Sequence, residues 1–125
     1  MPAPASVLHS NDTRTALATL IKSRVETGSG TMKAEIYDDA DTLLVSFDIA
    51  TFSAVVSYGF SANETPKPES NSEAFGAGSK TPTYAIIKDK NGVETWRTPS
   101  VTTTPSSFTA SVPVRLNTLS YTASV

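Results

Sequence analysis

The chain of 125 residues contains no cysteine and a single histidine, His9. The absence of cysteine excludes thiol catalysis, disulfide frameworks and Cys-ligated zinc. His9 lies in a proline-containing segment with no carboxylate or nucleophile placed beside it, so it lacks the fixed geometry and tuned pKa of a general base. We therefore expect no catalytic group and no cofactor.

A basic excess is also absent, because ten Lys and Arg residues are outnumbered by twelve Asp and Glu residues dispersed along the chain. Binding to a phosphate backbone needs clustered positive charge, so we expect no nucleic-acid partner. No apolar run reaches the length of about 20 residues that spans a bilayer, and residues 1–5 lack the features of a signal peptide. We therefore expect no membrane association and no secretion signal.

The length predicts one domain that can bury its own core. Residues 1–9 contain two prolines and small side chains, which predicts an extended arm outside a domain of residues 10–125. Such an arm spans at most about 30 Å, enough to contact a neighbouring molecule. A frayed terminus is the alternative interpretation.

One helix is predicted over about residues 11–27. Ser10 and Asp12 suit its N-terminus, because their oxygens accept hydrogen bonds from unpaired amides and Asp12 complements the helix dipole. Gly28 and Gly30 are typical of its end. The three- and four-residue spacing of apolar residues predicts one buried stripe, formed by Ala16, Leu17, Leu20, Ile21 and Val25.

From Thr31 the apolar period changes to two, which predicts strands. Residues 31–49 form a predicted hairpin with one solvent-facing side, on which Leu44 lies, and residues 53–61 a third strand. Residues 84–88 and 93–98 flank a turn that ends at Gly92, which places Ile86 opposite Trp96 and Lys88 opposite Glu94. This register predicts that Trp96 faces the core. Two further strands are predicted around residues 108–112 and from Leu119 to the end of the chain.

Seven or eight short strands without alternating helices predict an all-β fold. The expected architecture is an antiparallel β-sandwich, of the jelly-roll or immunoglobulin-like type, with the amphipathic helix covering one end or an open edge. Residues 61–82 form a long loop between its strands, with Phe75 as the one large apolar side chain. Such loops are either binding segments or disordered insertions.

Two residue clusters are candidates for chemistry. Asp38, Asp39 and Asp41 could supply oxygen ligands for calcium, but the spacing lacks the later glutamate of the helix-loop-helix calcium motif, so turn chemistry is favoured. Most aromatic residues fall at strand positions typical of a core. Trp96 and Tyr58 are the candidates for a carbohydrate platform.

The order of elements resembles small structural proteins of tailed bacteriophages. The resemblance is carried by the helix segment of residues 15–21, a Gly-rich link, the strand of residues 32–37, the acidic turn and residues 43–47. The hairpin around residues 84–92 and the closing strand of residues 116–125 are similar as well.

The resemblance implies a virion component made in the host cytoplasm, a decoration or cement protein on the capsid surface. Its partner would be the major capsid protein, and its assembly a homo-oligomer, with a trimer favoured. The predicted contacts with capsid or neighbouring subunits lie in the arm and the long loop, at Pro2, Ala3, Pro4, Val7, Leu8, His9, Pro66, Lys67, Pro68 and Phe75. The alternative is a tail or fibre adhesion module that recognises a receptor or carbohydrate.

Overall fold

A computed structural model gives the fold of residues 8–62, 64 and 66–124. One helix, α1 (Asn11–Val25), precedes eight strands: β1 (Met32–Tyr37), β2 (Leu43–Ile49), β3 (Gly59–Ser61), β4 (Glu69–Asn71), β5 (Tyr84–Lys88), β6 (Glu94–Thr98), β7 (Val101–Thr104) and β8 (Pro113–Thr122). The prediction of a mostly β chain with one N-terminal helix is confirmed. Among the described residues, no helix is long and apolar enough to cross a membrane.

The strands form two antiparallel sheets. The first sheet has the order β2-β1-β5-β6. In the second sheet the long strand β8 pairs with β3, β4 and β7. Arg115 of β8 lies opposite both Glu69 and Thr104, which places β4 and β7 on opposite edges of β8. The strand β8 therefore organises the whole second sheet.

Both sheets contribute side chains to one core. The fully buried residues include Phe47 and Ile87 of the first sheet and Leu116 and Leu119 of the second. An aromatic cluster fills one region of this core, where the Trp96 ring packs against the rings of Phe52, Phe60 and Tyr121 at centroid distances of 5.8, 5.4 and 5.7 Å. The prediction that Trp96 faces the core is confirmed.

The helix begins as the sequence predicts. The Ser10 hydroxyl accepts a hydrogen bond from the Thr13 amide at 3.2 Å, and Asp12 lies in the first turn. The helix ends at Val25, and Gly28 adopts a φ of 111°. The predicted buried stripe is confirmed in part, because Val25 is buried and Leu17 and Ile21 are half-buried. It is wrong at Ala16 and Leu20, which are exposed, while Arg14 and Ala18, outside the predicted stripe, are buried. Bonds made by Arg14, described below, turn this face of the helix inward.

The two predicted hairpins are present. Strands β1 and β2 pair around the acidic turn, although Leu44, predicted on the wet face, is buried. In the β5–β6 hairpin Gly92 has a φ of 81° and Lys88 lies opposite Glu94, as predicted. Trp96, however, lies opposite Ile87 rather than Ile86. A bulge shifts the register, with Thr95 as the extra residue.

Two predicted strands are wrong. Residues 52–62 form a tight hairpin instead of one strand, because Ser57 adopts a φ of 59° and reverses the chain; Val56 then pairs with Gly59. Residues 108–112 form no strand either, since Phe108 makes only an isolated bridge with Lys80. The last strand begins at Pro113 and ends at Thr122, before the predicted end.

Candidate interaction surfaces

The acidic turn is built from its own hydrogen bonds. The buried Asp38 carboxylate accepts from the Ala40 amide at 3.0 Å and the Thr42 amide at 2.8 Å. Asp41 accepts from the Tyr84 hydroxyl at 2.7 Å. The predicted turn chemistry is therefore confirmed. Within residues 8–62, 64 and 66–124, no group of three or more His, Cys, Asp or Glu side chains is arranged to hold a metal ion.

Neither aromatic candidate presents an open ring. Trp96 is 8% exposed and enclosed by other aromatic rings. The guanidinium carbon of Arg14 lies 3.4 Å from the centre of the Tyr58 ring and covers one of its faces. A sugar platform needs an accessible ring face, so this packing counts against both residues in that role.

The outer face of the first sheet is polar, and its charges are paired with one another. The Lys88 ammonium lies 3.0 Å from the Glu35 carboxylate, and Arg97 donates two hydrogen bonds of 2.9 Å to Glu94. Lys33 pairs with Asp48 in the same way. The charges of these six side chains are therefore paired within the face.

Two stacked tyrosines lie at one end of this face. The rings of Tyr37 and Tyr84 are 5.3 Å apart and nearly parallel. Burial, followed by the hydrogen bond that the Tyr37 hydroxyl donates to Glu35, raises the pKa of Tyr37 to about 12. The hydrogen bond from the Tyr84 hydroxyl to Asp41 is the main cause that raises the pKa of Tyr84. Both phenols therefore lose their protons only at a more alkaline pH than an ordinary tyrosine.

The predicted loop of residues 61–82 contains β4 and is fastened to both sheets. Glu73 donates its amide to the Leu44 carbonyl of β2 at 2.7 Å. The buried Ser72 hydroxyl donates to the Thr109 carbonyl at 2.6 Å and accepts from the Val112 amide at 3.0 Å. These bonds make much of the segment a structural connection that covers the free edge of β2.

Two tips of this segment remain exposed. Pro66 and Lys67 form the first, and residues 76–79 form the second. Pro68 and Phe75 are half-buried, and Phe75 packs against the core. Of the four contact residues predicted in this segment, the structure thus leaves Pro66 and Lys67 most accessible.

The arm reaches the described structure at its last residues. Leu8 is 57% exposed and His9 is half-buried. The other predicted contacts, Pro2, Ala3, Pro4 and Val7, lie outside the described residues. Leu8 therefore marks the point where the arm meets the domain.

Arg14 fixes the start of the helix to the rest of the domain. The buried guanidinium donates to the Ala123 carbonyl at 3.1 Å and to the Asn11 side chain at 3.3 Å, and it covers the Tyr58 ring. The sequence places Arg14 among the polar residues outside the apolar stripe, so this role was missed. Its four-residue spacing to the buried Ala18 was the one available signal.

The loop is fastened to β8, and the start of the helix, which follows the predicted arm, is fastened to the residue after β8. The Pro68 carbonyl accepts from the Leu116 amide at 2.8 Å, whereas Arg14 fixes the helix start at Ala123. Ala123 follows Leu116 by seven positions, which at about 3.3 Å per residue corresponds to about 23 Å of extended chain. The two anchors are therefore separate points of the fold.

Exposed apolar side chains surround the helix. Among the described residues, the large apolar side chains with high exposure are Leu8, Leu20, Val56 and Val93, at 57, 49, 72 and 59%. Leu8 precedes α1, and Val56 lies beside Ser57, whose carbonyl accepts from the Thr15 hydroxyl of the first turns. Leu20 and Val93 line one groove of about 620 Å³. The sequence indicated only Leu8 as a contact.

The end of the helix is docked onto the β5–β6 turn. Gly30 donates its amide to the Lys90 carbonyl at 3.1 Å, and Lys90 donates to the Thr27 carbonyl at 3.0 Å. A Cβ atom on Gly30 would lie 2.4 Å from the Lys90 carbonyl oxygen, so only glycine permits this approach. The groove between α1 and this turn is therefore preformed.

The chain matches none of the protein-family models, curated proteins or solved structures with which it was compared. The function of these surfaces is therefore inferred from their residues and geometry.

Proposed function

We propose that the protein is a non-enzymatic structural component of a tailed-bacteriophage virion. In this proposal it is a decoration or cement protein that stabilises the capsid by binding between major capsid protein subunits. Its two sheets would be the halves of a β-sandwich of the jelly-roll or immunoglobulin-like type. The proposal starts from the resemblance in element order described above and is supported by the arrangement of the exposed surfaces.

The observation that carries the proposal is the separation of the anchors that lie next to two exposed contact regions. The loop that carries the exposed Pro66 and Lys67 is fastened through Pro68 to Leu116 of β8. The helix that follows the exposed Leu8 is fastened through Arg14 to Ala123, about 23 Å further along the extended chain. A molecule with contacts at two separated points can touch two neighbouring subunits at once. Contacts that are individually weak then act together.

Several copies would act on one capsid, which strengthens binding further by avidity. The resemblance implies a homo-oligomer, most often a trimer, located on the capsid surface. The described charges fit this role, because the ion pairs of the first sheet satisfy one another and leave apolar and neutral groups for contact.

The test uses capsids that lack the protein. Purified protein should co-sediment with them and raise the temperature at which they release their contents. Leu8→Ser and Lys67→Glu should each weaken attachment. Val56→Ser is the control for Leu8→Ser, because Val56 is also a highly exposed apolar side chain and lies outside the predicted contact residues. No attachment and no change in capsid heat resistance would refute the proposal.

A tail or fibre adhesion module is the alternative function. One observation favours it: a surface cavity of about 310 Å³ is lined by Asp41, Tyr84, Arg97, Thr98 and Pro99. An aromatic ring beside a carboxylate and a guanidinium is a combination that can bind sugar hydroxyls. Binding on a glycan array that is lost in Tyr84→Ala, together with no binding to capsids, would establish this alternative.

A further inference from the structure

The outward face of α1 carries a self-complementary pattern. Asp12, Ala16, Leu20 and Arg24 are four residues apart and are all exposed, so they form one ridge along the helix. An acidic group lies at one end of this ridge and a basic group at the other. Between them lie one small and one large apolar side chain.

The two charges at the ends of the ridge have no partner within the described chain. The ion pairs of residues 8–62, 64 and 66–124 are Lys22–Glu26, Lys33–Asp48, Lys88–Glu35 and Arg97–Glu94, and none involves Asp12 or Arg24. Leu20 is 49% exposed, and Val93 continues the apolar patch on the other wall of the groove. Both the charges and the apolar groups of this face are thus available to a partner.

We propose that a second copy of this chain covers this face, through a two-fold pair of antiparallel α1 helices. In an antiparallel pair centred on position 18, Asp12 of each copy lies opposite Arg24 of the other. Ala16 of each copy then lies opposite Leu20 of the other. The large side chain of one helix thus meets the small side chain of its partner at both places.

The packing geometry agrees with this pairing. Ridges of residues four apart interdigitate when two helices cross at about −50°, the commonest class of helix packing in globular proteins. The antiparallel arrangement also opposes the two helix dipoles. A two-fold interface uses the same patch on both copies, so it requires a self-complementary surface of this kind.

The helix is held firmly enough to act as an interface. Its first turn is fixed by Arg14 at Ala123, and the chain after its last turn is fixed through Gly30 at Lys90. Neither anchor involves a residue of the ridge. The pairing concerns the free protein and does not depend on capsid binding or on the trimer favoured for the capsid surface, so the purified protein alone tests it and its failure would leave the proposed function standing.

The experiment measures mass by sedimentation equilibrium from about 1 μM to about 1 mM, the range of affinity expected for a small interface. The mass should rise from 13.2 kDa toward twice that value. Leu20→Glu should remain monomeric. Asp12→Arg and Arg24→Asp should each weaken association by about tenfold or more, because each places like charges opposite one another.

A charge exchange makes the test specific. Asp12→Arg mixed with Arg24→Asp should associate again, because each copy then presents the charge that the other needs, and the double variant should pair with itself. Arg115→Asp, which changes an exposed arginine on β8, is the matched control and should pair like the natural chain. Any of three results would overturn the proposal. The natural chain could stay monomeric at the highest concentration, it could reach the mass of three copies, or the single and mixed charge variants could all associate equally.

Discussion

Replacing Arg14 by alanine should destabilise the domain more than any other single change at an arginine. The side chain is buried, and its guanidinium connects the helix start, the residue after β8 and the 52–62 hairpin through Ala123 and Tyr58. Alanine removes these contacts and leaves the Ala123 carbonyl without this donor. The helix would then lose the contact that fixes its first turns.

The expected loss follows from three contributions. A buried carbonyl left without its donor costs about 2 kcal/mol. The cation–π contact with Tyr58 is worth about 1 kcal/mol, and the packing of the aliphatic stem about 1 kcal/mol more. The total is about 4 kcal/mol. With an unfolding entropy of about 2.1 cal/mol/K per residue, the Tm of this chain should fall by about 15 °C.

This loss is measured by thermal unfolding. The fluorescence of Trp96, the single tryptophan, and far-UV circular dichroism monitor the transition. Arg115→Ala is the control, because Arg115 also donates a hydrogen bond, to Asn117 at 3.3 Å, but is exposed. Its Tm should change by less than about 2 °C. An equal change of Tm in Arg14→Ala and Arg115→Ala would refute the role assigned to Arg14.

Three further predictions concern stability. Gly30→Ala should lower the free energy of chemical unfolding by about 2 kcal/mol or more, because the added Cβ would meet a backbone carbonyl. Gly76→Ala is the control: its Cβ would lie in open space, and its φ of 100° should lower the free energy of unfolding by only about 1 kcal/mol. A larger loss in Gly76→Ala than in Gly30→Ala would contradict the docking of the helix end. Ser72→Ala should lower the free energy of unfolding by about 1 to 3 kcal/mol, since its buried hydroxyl makes two hydrogen bonds; an unchanged urea midpoint would contradict this. Folding raises the pKa of Tyr37 from 10.0 to about 12, so the unfolded chain loses the phenol proton first. The free energy of unfolding should therefore fall as the pH rises from 10.0 to about 12. Tyr37→Phe should lose less stability over that range, and an equal loss would show that the Tyr37 phenol is not responsible.

The sequence predicted the elements whose signals are local. Ser10 marks the helix start because its hydroxyl reaches an amide three residues ahead. Gly92 marks a hairpin turn because its backbone adopts a positive φ. Trp96 was placed in the core from the predicted register of its hairpin, although its partner is Ile87 and not Ile86.

The errors arise where distant contacts override a local pattern. The alternation around Val56 is typical of one strand, yet Ser57 adopts a left-handed conformation that serine rarely takes, and the chain reverses there. The Arg14 side of the helix faces inward because a carbonyl and an aromatic ring lie there, which the spacing of the apolar residues does not reveal. As a result, Leu20 was predicted to be buried and is exposed.

The candidate surfaces were predicted less completely than the fold. The long loop predicted over residues 61–82 contains the strand β4, and its anchoring depends on the bond from Glu73 to β2 and on the bonds of Ser72 with Thr109 and Val112. These partners lie far away in the sequence. Composition indicated that the segment is exposed, and only the fold shows which of its residues are.

The measurement that tests the central claim most directly is an image reconstruction of the assembled particle. The account predicts density for this protein on the capsid surface, bridging two major capsid protein subunits, with the Leu8 end on one subunit and the Pro66–Lys67 tip on the other. A particle whose head carries no such density, or which carries the protein only on its tail, would contradict the account.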